Sequence, residues 1–539
     1  MRRWNGWGDE TVTYPLPAGA ADYLSQRLGS GQLRPDAMLD EVVATVPASR
    51  LPAHPLIDDD PLARLRHARG QSLPDWVALR SGRIGAFPDG VAWPESDDAV
   101  RTLLDYAAEV GAHLIPYGGG TSVVGHINPL PDAAPVLTVD MSRIDQVLRL
   151  DPTSYLAEIG AGASGLHLEQ QLRTRGFTLG HYPQSFEYAT LGGWIATRSS
   201  GQQSYYYGRI EDLLAGVHVE TPLGPLDLPP LPASAAGPDL RQLVLGSEGR
   251  LGLITRAVMR VRPLPQAEEF RAAFFKHWSD GVAAARQMTQ AGVAVSMLRL
   301  SDAQETETTL VLSGKERLVR WADRGLRLLR YGDGRCLLIY GLTGARQSLG
   351  SAGRQVRSFV RSHGGLPVGG MIGSQWQKSR FRSPYLRNTL WEQGYAIDTL
   401  ETALPWSDIE ATAEAIKDAL NRALNQEGEE VLAFAHLSHV YRDGASIYVT
   451  YLFRRAGDPD QTLLRWQRLK EAASRTIVAA GGTISHQHGV GLDHTPYLAA
   501  EKGRIGLAWL RATRQAADPQ GLLNPGKLLP EREAGQEDE

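Results

Sequence analysis

The sequence predicts an α+β protein of more than one domain, and three observations carry that expectation. At 539 residues the chain is too long for one ordinary core and long enough for two or three domains. From about residue 81 to 265, short apolar runs alternate with amphipathic segments and are punctuated by glycine-rich loops. After Pro263-Leu264-Pro265 the texture changes to long amphipathic helices with strand-like runs between them. These shifts divide the chain into an N-terminal segment (1–80), a first domain (81–265), a second domain (266–485) and a C-terminal segment (486–539).

The N-terminal segment is rich in Pro and Asp, as in Leu56-Ile57-Asp58-Asp59-Asp60-Pro61. It carries one oddity, Arg3-Trp4-Asn5-Gly6-Trp7-Gly8, two large rings at a terminus that would ordinarily fray. This reads as a hydrophobic clasp docking the terminus on the body. In the first domain, Ser96 is an N-cap, and Asp97 and Asp98 fill the first turn, where the helix dipole favours anions. Val100, Leu103, Leu104 and Ala107 recur at helical spacing, and Gly111 ends the helix. Strands are expected at 113–115, 136–140, 147–150 and 155–160, a helix from Ser164 to Arg175 closing on Gly176, and a strand at 256–262. The Pro- and Ala-rich stretch from Pro222 to Pro238 reads as an exposed loop. In the second domain, helices are expected at 317–330, 407–425 and 460–480, and strands at 336–340 and 446–453. The chain ends in a turn-rich run, 518–527, and a solvated acidic tail.

Composition narrows the function. The formal charge is only −4, and the excess of Arg over Lys is scattered, so no global field argues for nucleic acid or an anionic membrane. The lone cysteine, Cys336, can form no internal disulfide and no cysteine cluster exists for a metal, which points to a reducing, cytoplasmic-type setting. No apolar run approaches the roughly 20 residues that span a bilayer, and the N-terminus lacks a signal-peptide core.

Three loops carry chemistry. Pro116-Tyr117-Gly118-Gly119-Gly120-Thr121-Ser122 follows a buried strand. Without Cβ atoms its backbone can approach a ligand closely, and successive N–H groups can gather round a phosphate. It is neither a dinucleotide fingerprint opening a helix nor a Walker loop, and alone a triple glycine is more often a plain turn. The second loop runs Pro183-Gln184-Ser185-Phe186-Glu187-Tyr188-Ala189, then Gly192-Gly193-Trp194, then Ala196-Thr197-Arg198-Ser199. The third is Gly246-Ser247-Glu248-Gly249-Arg250-Leu251-Gly252-Leu253-Ile254. Three glycine-hydroxyl loops in one domain suggest one large ligand gripped at several points.

Together these loops resemble the FAD-binding domain shared by vanillyl-alcohol oxidase and p-cresol methylhydroxylase relatives. The resemblance implies a two-subdomain FAD-binding domain, an α+β substrate (cap) domain, and a helical C-terminal segment that completes the site and packs back on the FAD domain. It places the pyrophosphate at Pro116 to Ser122. It puts the flavin ring against Pro183 to Ala189 and Ala196 to Ser199, with Gly192, Gly193 and Trp194 beside it, and the adenosine part near Glu248 to Ile254. Covalent members often carry a His where Thr121 stands, so the resemblance implies non-covalent FAD.

Within that superfamily the chain is similar to the alkyldihydroxyacetone-phosphate synthases. The similarity includes Arg3 to Gly8, the glycine loop, His181 to Arg198, the third loop and Gly489-Val490-Gly491. It implies an exchange at C1 of acyl-dihydroxyacetone phosphate, in which fatty acid leaves and a long-chain alcohol enters. No net electron transfer occurs, flavin N5 being taken to hold the substrate. It implies that Arg299 is important for activity, that Arg387 binds substrate and that Tyr448 is the acid/base. Independently, alternation over 446–453 puts Ile447, Val449, Tyr451 and Phe453 on a core face and Ser446, Tyr448 and Thr450 on a polar one. The family has three consecutive histidines before Gly-Val-Gly. Here the run is His486-Gln487-His488, and the middle Gln487 is a departure that bears on the substrate. In an extended segment His486 and His488 would point to one side as a pair.

Two other readings stay open. A D-2-hydroxyacid dehydrogenase of the same fold would need a metal-binding acid where Gln487 stands; His436, His439, His486 and His488 are the remaining ligand candidates, and no metal is expected. A non-catalytic flavin-binding protein would not need Arg299, Arg387 and Tyr448. Expected partners are small lipids, with peripheral membrane contact and a homodimer both compatible.

Overall fold

A computed structural model describes residues 1–131, 134–312 and 323–529. The first sheet has four strands in the order Ile57–Asp58, Gly90–Ala92, Val136–Asp140, His113–Tyr117. The last three run parallel, which needs crossovers, and the helix Asp97–Val110 supplies one. That helix starts as its sequence dictates. The Ser96 side chain accepts from Ala99 N–H, Gly111 is left-handed at the end, and Val100, Leu103, Leu104 and Ala107 are buried. The open edge of His113–Tyr117 is covered by the C-terminal segment. Leu114 N–H donates to Leu522 O at 2.8 Å, and Asn524 N–H returns to Leu114 O at 2.8 Å.

The second sheet is antiparallel, ordered Val147–Asp151, Leu156–Gly160, Leu253–Arg260, Leu214–Thr221, Gly224–Leu228. Gly224–Leu228 corrects the expectation of one loop over 222–238. It forms a hairpin with the preceding strand, and Gly224, at φ +126°, makes the tight return. The proline at 225 had suggested a break, but edge strands tolerate proline.

The cap is built on a seven-stranded sheet, ordered Leu366–Gly369, Ala267–Phe275, Cys336–Gly344, Met297–Ser301, Val431–Val440, Gly444–Arg454, Tyr395–Pro405. Its neighbours are antiparallel. The sequence had suggested that helices dominate here. Strands such as Tyr395–Pro405 were not legible because their polar and apolar residues do not alternate cleanly: both Asp398 and Glu401 are buried. The helices Ile409–Ala423 and Pro459–Ala479 formed close to their expected spans. Of the helix expected at 317–330, residues 317–322 lie outside the described residues, and 323–328 are helical.

Residues before 81 are woven into both parts. The helix Ala18–Leu28 buries Leu24 and Leu28 against Leu390, Tyr395 and Phe434 of the cap. Trp76, in the helix Leu73–Ser81, is fully buried in the large cap core. No helix among the described residues is long and apolar enough to cross a membrane.

Candidate active site

The strand Gly444–Arg454 sits between two partners, and its register sets Tyr448 opposite Glu401 on one side and His436 on the other. Ile447, Val449, Tyr451 and Phe453 are 0% exposed in the core, while Tyr448 and Thr450 are half-buried on the opposite face. Ser301 pairs with His436, so Arg299, two residues along, shares the polar face with Tyr448.

Arg299, Glu305 and His436 close a triangle. Arg299 donates to His436 Nε2 at 2.8 Å and to Glu305 Oε1 at 2.7 Å. A guanidinium can only donate, so Nε2 is the acceptor and the proton of neutral His436 sits on Nδ1, 3.0 Å from Glu305 Oε1. Burial, and then Arg299, hold the His436 pKa below its ordinary value. Burial opposes charge on Glu305, but Arg299 and His436 outweigh it and bring its pKa down to about 2. His436 stacks on Tyr448 at 4.9 Å. Burial pushes the Tyr448 phenol above its usual pKa against a hydrogen bond from Thr399.

His486-Gln487-His488 is not extended, which corrects the expected side-by-side pair. The backbone bends around the buried Glu401 carboxylate, whose Oε1 accepts Gln487 N–H at 2.6 Å and His488 N–H at 2.8 Å. A buried carboxylate needs donors, and two adjacent peptide groups supply them. The histidines therefore part. His486 Nε2 accepts from Arg209 at 2.8 Å and lies 2.6 Å from the Tyr441 hydroxyl. Burial, His439 and Arg209 hold it well below its ordinary pKa. His488 turns the other way, its Nδ1 3.3 Å from Glu401 and its ring edge-on to Tyr448 at 5.8 Å. The Gln487 amide meets His439, and its Oε1 is buried without a partner. His439 Nδ1 lies 3.1 Å from both Ser200 and Ser204, and burial takes its pKa down to about 3. With these nitrogens engaged, the four histidines do not converge. Among the described residues no group of three His, Cys, Asp or Glu side chains is arranged for a metal.

Arg387 stands off from this cluster, on the helix Ser383–Glu392. It donates to Gln71 O and lies 4.7 Å over the Trp76 ring, with Nε and one terminal nitrogen unpartnered. Sequence reasoning missed Glu305, Arg209, Tyr441 and Glu401. Only Glu401 left a signal, an acid inside an otherwise apolar strand.

The glycine loops converge as one ligand would require. A Cβ on Gly118 would fall 2.2 Å from Thr190 Oγ1, and one on Gly119 would fall 2.0 Å from Tyr188 O. One on Gly249 would fall 2.3 Å from Pro116. Only bare backbone lets the loops around 118, 190 and 249 touch, and this close-set backbone fits a nucleotide cofactor. The Pro183–Ala189 stretch faces the cap. Gln184 donates to Arg380 O at 2.6 Å, and the Glu187 carboxylate accepts from Tyr385 OH at 3.0 Å. Trp194 packs on His181 at 4.7 Å, and Ser199 Oγ meets that histidine's Nε2 at 3.1 Å. In the third loop the side chains turn inward. Glu248 accepts from Val490 and Gly491 N–H at 2.6 and 2.9 Å, and Arg250 donates to Leu523 and Asn524 carbonyls. Leu253 and Ile254 are in the strand Leu253–Arg260. Glu248 and Arg250 thus clamp the C-terminal segment with side chains expected near adenosine.

Comparison with known proteins agrees with this division. A FAD binding domain model matches residues 88–226, and a model of the C-terminal domain of FAD linked oxidases matches 264–528. The chain is 30% identical to alkyldihydroxyacetonephosphate synthase of Dictyostelium discoideum over 98% of its length and 93% of that protein. It is 28% identical to that of Trypanosoma brucei brucei, over 98% and 92%. A solved alkyldihydroxyacetonephosphate synthase superposes with a TM-score of 0.83 at 28% identity, covering 98% of this chain and 99% of that one.

Proposed function

Since the chain belongs to the alkyldihydroxyacetonephosphate synthase family of FAD enzymes, we propose that it exchanges the acyl group of acyl-dihydroxyacetone phosphate for a long-chain alcohol. The C1–O bond to the acyl group breaks and a C1–O bond to the alcohol forms. The fatty acid leaves as its carboxylate, and the alcohol gives up its hydroxyl proton. FAD supplies an electron-poor ring that activates C1, and with Thr121 in the glycine loop it is held without a covalent bond.

The observation that carries the reading is the division of labour among the histidines. His436 and His486 each have Nε2 capped by an arginine and cannot take a proton there. His488 has its Nδ1 against the Glu401 carboxylate, which favours the tautomer with a proton on Nδ1 and a basic Nε2. Among the described residues no protein group bonds that Nε2. His488 accepts the alcohol proton, Tyr448 beside it moves a proton at its phenol oxygen, and Glu401 positions His488. Arg299 orients His436 under the Tyr448 ring, and Arg387 binds the phosphate, for which a guanidinium fork is suited.

The test is product analysis with acyl-dihydroxyacetone phosphate and hexadecanol, together with acid precipitation of the yellow protein. Ether-linked product, free fatty acid and flavin in the supernatant are expected. Oxidation of a 2-hydroxyacid without any exchange would move the protein to the dehydrogenase reading. Flavin retained in the pellet would contradict non-covalent binding.

A further inference from the structure

The tryptophan segment at the start of the chain does more than pack. Arg2 bridges to Asp9, and Arg3 N–H donates to Gly8 O at 2.8 Å, closing a tight hairpin. One side docks on the helix that bears Arg387. Trp7 N–H donates to Asn388 Oδ1 at 3.1 Å, and Asn388 Nδ2 donates back to Trp7 O at 2.9 Å. Gly8, at φ +80°, comes so near Tyr385 that a Cβ would lie 2.2 Å from its ring. The other side reaches the cofactor loops. Arg2 donates to Gly119 O and lies 5.0 Å over the Tyr188 ring, which Trp7 meets edge-on at 5.7 Å.

We propose that the hairpin is a strap that sets the glycine loop for the FAD pyrophosphate, with Arg2 as its positioning residue. The inference rests on the reading of Pro116 to Ser122 as the pyrophosphate loop. In a trans peptide the C=O and N–H point in opposite directions. With the Gly119 carbonyl held by Arg2, the Gly120 N–H of the same peptide faces away from the strap, ready to donate to an anion. The guanidinium also places a positive charge behind the loop, which favours a doubly negative ligand in front of it. The strap explains why the two glycines stand where they do. Any side chain at Gly6 would strike Asn388 Oδ1, 2.4 Å from the added Cβ, and lift Arg2 off the loop.

The experiment strips the flavin and titrates the apoprotein with FAD, following flavin fluorescence. Arg2→Ala should weaken FAD binding about tenfold, the worth of one charge-assisted hydrogen bond, while the far-ultraviolet circular dichroism of the apoprotein stays unchanged. Arg2→Met keeps the length without the donor and should weaken FAD binding equally; it decides the matter if the alanine variant does not fold. Asn388→Ala, which frees the opposite end of the strap, should weaken FAD binding by a smaller factor. Equal FAD affinity in wild type and a folded Arg2 variant would overturn the strap. Wild-type affinity equal for FAD and riboflavin, which has no phosphate, would instead overturn the reading of the loop.

Discussion

Buried acids are treated differently in the two halves of the molecule. In the FAD-binding half, Glu169 is saturated by Thr178 and by Leu179 and Gly180 N–H, and Glu248 spends both oxygens on Val490 and Gly491. On the polar face of the cap, Glu305 and Glu401 each keep one buried oxygen unpartnered, as Gln487 does with its Oε1 and His486 with its Nδ1. An unsatisfied buried polar atom costs about 1–3 kcal/mol. A cluster of them persists where a ligand completes the bonds. The saturated acids hold the scaffold, and the unsaturated ones surround chemistry.

The comparison is sharpened most by Tyr448→Phe, on the unsaturated side. Loss of a positioned acid/base should cut turnover by about 10²–10⁴-fold while flavin absorbance and Tm stay close to wild type. Near-normal turnover would remove Tyr448 from the mechanism.

On the saturated side, Glu248→Ala should act through the fold. It strands two peptide N–H groups, at a cost of about 2–4 kcal/mol, and should lower Tm and loosen the C-terminal segment toward proteolysis. An unchanged Tm with lost turnover would break the contrast, because Glu248 would then belong to the site.

The smallest effect is expected at Gln487. Its amide meets His439 and is not a titrating group, so Gln487→Ala should lower exchange by about threefold to tenfold, the worth of a neutral hydrogen bond. Gln487→His should resemble the wild type. A silent wild type rescued by Gln487→His would show that this position must carry a proton.

Much of the local structure could be read directly. Ser96 and Gly111 delimited their helix because caps are local chemistry, and alternation alone turned Tyr448 away from the core. The cap sheet was less legible. Its strands are covered on one face and carry buried acids on the other, so the two-residue period is blurred. The clasp reading of Trp7 held, since that ring is 6% exposed in the core.

The sequence by itself therefore determined the glycine loops, the FAD cofactor, the fold family and the polar face that bears Tyr448 and Arg299. Tertiary structure alone decided which histidine is free. Glu401 lies more than eighty residues from the loop that it bends, Arg209 far from His486 and Arg299 far from His436. A proton's position on an imidazole is set by the neighbour at each nitrogen. Those neighbours are chosen by strand register and loop packing, and no local pattern encodes either.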